Sequence, residues 1–243
     1  LVGSEMCIRD RLYMYCKVRT RAVFAAVVLI GYSLLMYLVV APDAPDGTDP
    51  LSVAGNIAGW VDRQWLPGTF VYESFDPEGL LSTLPAIVSA LFGMFTGEFL
   101  LRKRSSLSGK RIALCMALAA VAITVIGIIW NCWIPINKKL WSSSFTCVVT
   151  GYSLGLFALF YYLIDVRGWK RWTFFFRVIG LNSITIYLAQ RIVGFGGIAN
   201  FFFGGAASHC PEAIARVISN AGYVAICWLF LYFLYRKSTF LKV

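Results

Sequence analysis

Charge is scarce in this chain, and histidine almost absent. Only 14% of the 243 residues are charged and a single histidine occurs, His209. Soluble domains carry about 25% charged residues, so an ordinary soluble domain is excluded, as is a disordered tail. There is no H-E-x-x-H, no G-x-S-x-G and no glycine-rich phosphate loop, which removes the familiar zinc-protease, serine-hydrolase and nucleotide-loop signatures. The seven cysteines are an odd number with no C-x-x-C pair. Cys115, Cys147 and Cys227 lie inside apolar runs and read as small hydrophobes, so neither a disulfide framework nor a metal site is expected. No internal repeat is visible, and no stretch shows the alternation of a membrane β-barrel.

What is present is apolar surface. Hydrophobic residues make up 59% of the chain, and the mean hydropathy is +0.71. A helix crossing a ~30 Å hydrocarbon core at ~1.5 Å per residue needs about 20 apolar residues. Six segments meet or approach that length: 22–40, 80–101, 111–130, 143–164, 174–193 and 213–235. The expected fold is therefore an all-α, polytopic transmembrane bundle, read as one membrane domain over residues 13–243. Residues 1–12 are set apart. The chain does not begin with Met, and Met6-Cys7-Ile8-Arg9-Asp10 resembles a translated sequencing adaptor, so this leader is expected to be artefactual.

The formal charge of +10 is a topology signal. With the N-terminal side inside, fifteen Lys and Arg fall in inner connections, chiefly around 17–21, 102–111, 167–177 and 236–242. Five fall outside: Arg63, Lys138, Lys139, Arg191 and Arg216. The positive-inside rule then predicts both visible termini in the cytoplasm. The expected partner is the lipid bilayer, with its anionic headgroups on the basic side, and not nucleic acid. A bacterial source would make this the inner membrane. Composition leaves a homo-oligomer open.

One long outer loop, residues 41–79, exceeds a simple connector. Asp49-Pro50 fits an N-cap and first helical position, and Val53, Ile57, Trp60, Val61 and Trp65 fall near one face. This pattern predicts an amphipathic helix at the outer interface, its tryptophans at headgroup depth.

Several polar residues stand out against this background. Asp76-Pro77-Glu78-Gly79 opens the second segment, where the acids fit helix capping but also suit acid–base or ligand-orienting work. Asn137, Lys138, Lys139 and Trp141 form an outer loop whose lysines run against the charge rule and suit an anion or a cofactor phosphate. Asn182 and Ser183 sit deep in the fifth segment. Polar groups there face the bundle, either to bond other helices or to line a substrate path. Asn182, Thr185 and Ala189 form one stripe; Ser183, Tyr187 and Gln190 form the next. Glu98 is expected to pair with Arg102 one turn on. Gly93-x-x-x-Gly97 and Gly151-x-x-x-Gly155 are read as close helix contacts. His209, in a glycine-rich outer loop, reads as a solvated side chain.

Some of these blocks carry a family resemblance. Gly59-Trp-Val-Asp-Arg63, then Phe75-Asp-Pro-Glu-Gly-Leu-Leu-Ser-Thr-Leu-Pro-Ala-Ile-Val88, resemble the heparan-α-glucosaminide N-acetyltransferase family and its bacterial relatives. Ile134-Pro-Ile-Asn-Lys-Lys-Leu-Trp-Ser-Ser-Ser144, Asp165-Val-Arg-Gly168 and Gly180-Leu-Asn-Ser-Ile-Thr-Ile-Tyr187 follow in the same order. The resemblance implies a multi-helix acyltransferase that takes acetyl-CoA from the cytoplasmic side as co-substrate. The acceptor would be an amine on a sugar or glycan at the outer or lumenal side. Motif position together with residue chemistry makes Asp76 and Glu78 candidate catalytic groups, and Asn137, Lys138, Lys139, Trp141, Asn182 and Ser183 candidates to bind substrate or cofactor. Family members have about twice as many helices, and their catalytic histidine lies in a first half with which nothing here aligns. His209 does not match that position. The visible chain is therefore expected to be the C-terminal part of an enzyme and to be inactive alone. The alternatives are a transporter or exporter, with Asn182, Ser183 and Gln190 lining its path, and a non-catalytic membrane protein. Interrupted helices or inverted repeats would favour the transporter, and the sequence shows neither.

Overall fold

A computed structural model describes residues 2–67 and 76–241. It is 72% helical, with no strand among the described residues. The helices are α1 (Val2–Tyr15), α2 (Val18–Leu38), α3 (Ile57–Trp65), α4 (Thr83–Lys103), α5 (Gly109–Trp130) and α6 (Ser143–Tyr161). A π-helical turn, Tyr162–Val166, follows α6. Then come α7 (Thr173–Gly180), α8 (Ser183–Ile192), α9 (Phe195–Ser208) and α10 (Glu212–Arg236). Helices α2, α4, α5, α10 and the run Ser143–Val166 are long and apolar enough to cross a membrane. A sixth span results if α8 and α9, bent by 81°, count as one. The all-α, multi-pass expectation therefore holds.

Two sequence readings need correction. Segment 174–193 is not one continuous helix. It breaks at Leu181-Asn182 into α7 and α8, and the sixth candidate span is instead the bent pair Ser183–Ile192 with Phe195–Ser208. Gly180 ends one helix and Asn182 sits at the N-cap of the next, so both flanks carry residues that favour helix ends. The stretch 195–208 is a helix despite Gly196, Gly197, Gly204 and Gly205. Each glycine costs about 1 kcal/mol of helix propensity, but the run is otherwise almost wholly apolar and gains by closing its backbone hydrogen bonds.

The chain divides into two compact units, Leu1–Gly168 and Trp169–Val243. In the first, α2, α4 and α6 share a core of Ala25, Leu29, Ile87, Val88, Leu91 and Cys147. Next to the loops, Tyr32 and Met36 of α2 pack on Ile57 and Ala58 of α3 and on Leu140. Helices α5 and α6 approach closely: a Cβ added at Gly151 would overlap Thr124 Oγ1 and lie 2.9 Å from the Ala120 carbonyl oxygen. Gly151 is thus a packing glycine, as expected. Gly93 and Gly97 are not. A Cβ at either would meet nothing within 4 Å, so they line open space. In the second unit, Ala189 of α8, Phe195 of α9 and Cys227 of α10 form the core. Phe175, Trp228 and Tyr232 stack in parallel, with centroids 5.6 and 5.1 Å apart.

Candidate functional site

Helix α3 positions one side of the loop end. It starts at Ile57, seven residues later than Asp49-Pro50 suggested. Asn56 is the N-cap, and its Oδ1 accepts from the Gly59 N–H at 2.6 Å. Asp49 instead closes a tight turn, accepting from Leu51 N–H at 2.8 Å. The buried face of α3 is Ile57, Ala58, Gly59 and Asp62, while Val53 and Trp65 are exposed. Trp60 packs against the apolar cluster from a half-buried position. The inward stripe is therefore rotated from the one expected, and it carries a carboxylate.

Asp62 is the functional-looking residue that periodicity missed. It is 1% exposed. Its carboxylate accepts from the backbone N–H of Leu80 at 2.9 Å and from that of Asp76. A Cβ at Gly79 would run into the Asp62 carboxylate, so only glycine allows this approach. Burial pushes the Asp62 carboxyl above the ordinary aspartate range; the two backbone donors and Arg63 oppose the shift, and Asp76 adds to it. An acidic residue four positions after a buried Ala58 was the available signal.

The 76–80 turn is what Asp62 holds. Asp76 Oδ1 accepts from Glu78 N–H at 2.9 Å, so Asp76 caps this turn and not α4. Helix α4 begins at Thr83 with Ser82 before it, correcting the expected Asp76-Pro77 start. Ser82 Oγ donates toward the carbonyls of Pro77 and Gly79, at 3.1 and 3.0 Å. Asp76 is half-buried and Glu78 exposed.

The other side of the loop end is built by 131–146. Ser142 N-caps α6, accepting from Phe145 N–H at 3.3 Å and from Asn137 N–H at 3.0 Å, and donating to the Pro135 carbonyl at 2.9 Å. Ser143 Oγ donates to Leu29 O at 2.7 Å, and Tyr32 Oη to Leu140 O at 2.6 Å. Asn137 Oδ1 accepts from Lys139 N–H at 2.9 Å, which shapes the lysine turn and leaves Lys138 and Lys139 exposed. Trp141 adopts φ 49°, in the left-handed region. Its indole N–H points to Ser89 Oγ at 3.4 Å, and its ring meets Phe145 edge-on at 5.6 Å.

Trp141 and Ser89 mark the top of a groove between α4 and α6. Its cavity, about 350 Å³, is lined by Ser89, Gly93, Thr96 and Gly97 from α4 and by Thr150, Ser153 and Phe157 from α6, among others. Phe157 also lines a second cavity of about 550 Å³ at the basic end. There Arg104, Gly109, Tyr161 and the π-turn residues Ile164, Asp165 and Val166 form the wall. Single-turn π segments are enriched at functional sites.

Glu98 keeps the expected contact to Arg102, at 3.5 Å, but its shorter partner is Arg21 of α2 at 2.6 Å. Arg21 is 3% exposed and Glu98 half-buried. This pairing spans 77 positions and could not be read from helical spacing.

In the second unit, Asn182 is 1% exposed. Its Oδ1 accepts from Thr185 Oγ1 at 3.3 Å, while its buried Nδ2 has no acceptor. The Asn182–Thr185–Ala189 stripe faces inward; Ser183, Tyr187 and Gln190 are exposed. His209 caps the end of α9, its Nδ1 2.7 Å from Gly205 O. Among the described residues there is no cluster of His, Cys, Asp or Glu able to hold a metal ion.

Apolar helices of spanning length, five by themselves and a sixth if the bent pair is one span, define a multi-pass integral membrane protein. The chain is distantly similar to heparan-alpha-glucosaminide N-acetyltransferase of Mus musculus and of Homo sapiens, 28% identical to each over 78% of this chain. It spans about 30% of the length of these curated relatives. No family model matches the chain.

Proposed function

We propose that the chain is part of an integral-membrane acyltransferase that moves an acetyl group from acetyl-CoA to an amine on a sugar or glycan across the membrane. The observation that carries this reading is the pair of cavities along α6, the groove beside Ser89 and the Arg104 cavity, which share Phe157 in their walls, in a chain similar to an N-acetyltransferase. When bound, acetyl-CoA supplies the thioester carbonyl. Arg104 offers a cation for phosphate in a 550 Å³ cavity, within the size range of ligand pockets. Gly93 and Gly97 leave room for a narrow, extended chain along α4. In the second unit taken by itself, the Asn182 amide is a buried donor without an acceptor, a group whose chemistry suits a carbonyl oxygen. Asp76 or Glu78 is the base that would accept the one proton the acceptor amine gives up as its nitrogen bonds to the carbonyl carbon and the C–S bond breaks, the sulfur leaving as the thiolate. Ser183, exposed beside Asn182, adds a hydroxyl. Lys138, Lys139, Asn137 and Trp141 suit an acidic sugar, its ring resting on the indole.

On the positive-inside rule the Arg104 end faces the cytoplasm, as do both visible termini, and in a bacterium the membrane is the inner one. Two measurements test the reading: acetyl-CoA binding to the purified chain, and acetyl transfer in membranes expressing the gene from its natural start. Arg104→Ala is expected to weaken donor binding about tenfold, the scale of one charge-assisted hydrogen bond. Glu78→Ala is expected to lower transfer without affecting donor binding. Neither binding nor transfer in the unaltered protein would end the proposal.

A second reading has one observation in its favour. The 81° bend between α8 and α9 is a broken span of the kind transporters place at their binding sites. Substrate flux into vesicles without acetyl transfer would select it.

A further inference from the structure

We propose that the cavity between α2 and α4 at the basic end of the first unit holds the headgroup of an anionic phospholipid. This inference is independent of acetyl transfer. The cavity, about 330 Å³, is walled by Val18 and Ala22 of α2 and by Phe95, Glu98, Phe99, Arg102 and Lys103 of α4.

Its charge favours an anion. Glu98 is the one carboxylate in the wall, and Arg21 already engages it at 2.6 Å from a buried position. The Arg21 guanidinium lies 4.8 Å from the Tyr13 ring centroid and 5.7 Å from that of Phe95, so it is held in place. Its Nε and Nη1 are buried without an acceptor, and because its charge is matched by Glu98, the charges of Arg102 and Lys103 are left over at this end. Arg102 touches Glu98 only at 3.5 Å, and its side chain is 68% exposed. It is free to turn to a phosphate alongside Lys103. Arg21 and Arg102 thus share the one carboxylate, and Lys103 adds a third cation to the wall.

The shape favours a lipid over free phosphate. Val18, Ala22, Phe95 and Phe99 give the cavity apolar walls that phosphate cannot use but that a glycerol backbone and its first methylenes can cover. Both helices are long and apolar enough to span a membrane, and the cationic residues lie at their ends. Basic pockets between membrane helices recognise anionic headgroups in this way.

The experiment is native mass spectrometry of the full chain released from mixed vesicles of phosphatidylglycerol and phosphatidylcholine. Preferential retention of phosphatidylglycerol is expected. The Arg102→Gln/Lys103→Gln double variant should reduce that preference about tenfold; both side chains are exposed at a helix end, and an unchanged melting temperature verifies the fold. In a parallel arm, inorganic phosphate is titrated into the protein that has retained phosphatidylglycerol. Equal retention of the two lipids, an unchanged preference in the double variant, or phosphate displacing phosphatidylglycerol at millimolar levels would each overturn the proposal.

Discussion

The two units of this chain bury polar groups in opposite ways. At the loop end of the first, Asn56, Asp62, Ser142 and Ser143 are all at most 3% exposed, and each is tied to backbone by hydrogen bonds. These bonds close loops that would otherwise leave unpaired amides in an apolar setting. In the second unit, the buried Asn182 leaves its amide N–H without an acceptor, while Ile192, Phe201 and Phe202 are 84, 82 and 65% exposed. Polar burial in the first unit's loops is architecture. In the second, the Asn182 amide N–H has no partner within the described residues. The first unit has its own orphans, the Ser33 and Thr146 hydroxyls and two Arg21 nitrogens, but these lie within helices.

The largest effect should come from separating the buried ion pair. Removing Glu98 leaves Arg21 as a buried, unpaired cation, a change that typically costs about 3–5 kcal/mol. Glu98→Leu and Arg21→Met are each expected to lower the thermal midpoint of detergent-solubilised protein strongly. The double variant should recover most of the loss, because an apolar pair needs no desolvated charge. A double variant as weak as the singles would mean that the pair organises α2 against α4 by more than electrostatics.

Next is Asp62. Asp62→Ala strands the N–H groups of Leu80 and Asp76, at about 1–3 kcal/mol for an unsatisfied buried donor. Asp62→Asn keeps an acceptor and should cost less. The raised carboxyl also predicts a pH dependence. In the folded protein Asp62 binds its proton more tightly than in the unfolded chain, so its contribution is fully present below the unfolded aspartate value and is lost as pH rises through the raised folded one. Melting curves across the acidic range should show this slope in the unaltered protein and its loss in Asp62→Asn. An identical slope in both would assign the titration to another group.

The bundle was legible in the sequence because apolar length is a local property. Five of the predicted segments match α2, α4, α5, the Ser143–Val166 run and α10 to within a few residues. What escaped depended on contacts distant in sequence. Arg21–Glu98 is one such contact. The grip of Asp62 on residues 76–80 is another: Asp62 was visible within Gly59-Trp-Val-Asp-Arg63, but periodicity assigned the apolar face to Val53, Ile57, Trp60, Val61 and Trp65, of which only Ile57 is fully buried. The break at Asn182 escaped for a different reason. Averaged hydropathy runs smoothly through 174–193, while Gly180 and Asn182 mark helix ends by backbone preference and not by polarity. At the candidate site, Asn137 and Lys139 share one turn and Asp76 and Glu78 another. The cavity around Arg104 was not foreseen, since it forms only where the π turn meets the start of α5.

A smaller effect is expected at Asn56. Asn56→Ala removes the N-cap of α3 and two further bonds, from its Nδ2 to the carbonyls of Ser52 and Val53. N-cap losses run to about 0.5–2 kcal/mol. Asn56→Asp should retain the cap and lose only the two donor bonds. Chemical denaturation that gives equal losses for the two variants would place the stabilisation in the donor bonds instead.

The smallest effect on stability, and the sharpest test of the comparison, belongs to Asn182. Its Oδ1 has one long bond to Thr185, and its Nδ2 has none, so Asn182→Ala forfeits little and relieves a buried unpaired donor. The expected cost is a few tenths of a kcal/mol, well below that of Asp62→Ala, because removing an unsatisfied group offsets the lost packing. If acetyl transfer by the gene product nevertheless falls a hundredfold, the amide serves an acceptor that the chain itself does not contain, on the scale of one oxyanion donor. A melting temperature that drops as far as in Asp62→Ala would mean instead that Asn182 is structural, and the contrast between the two units would disappear.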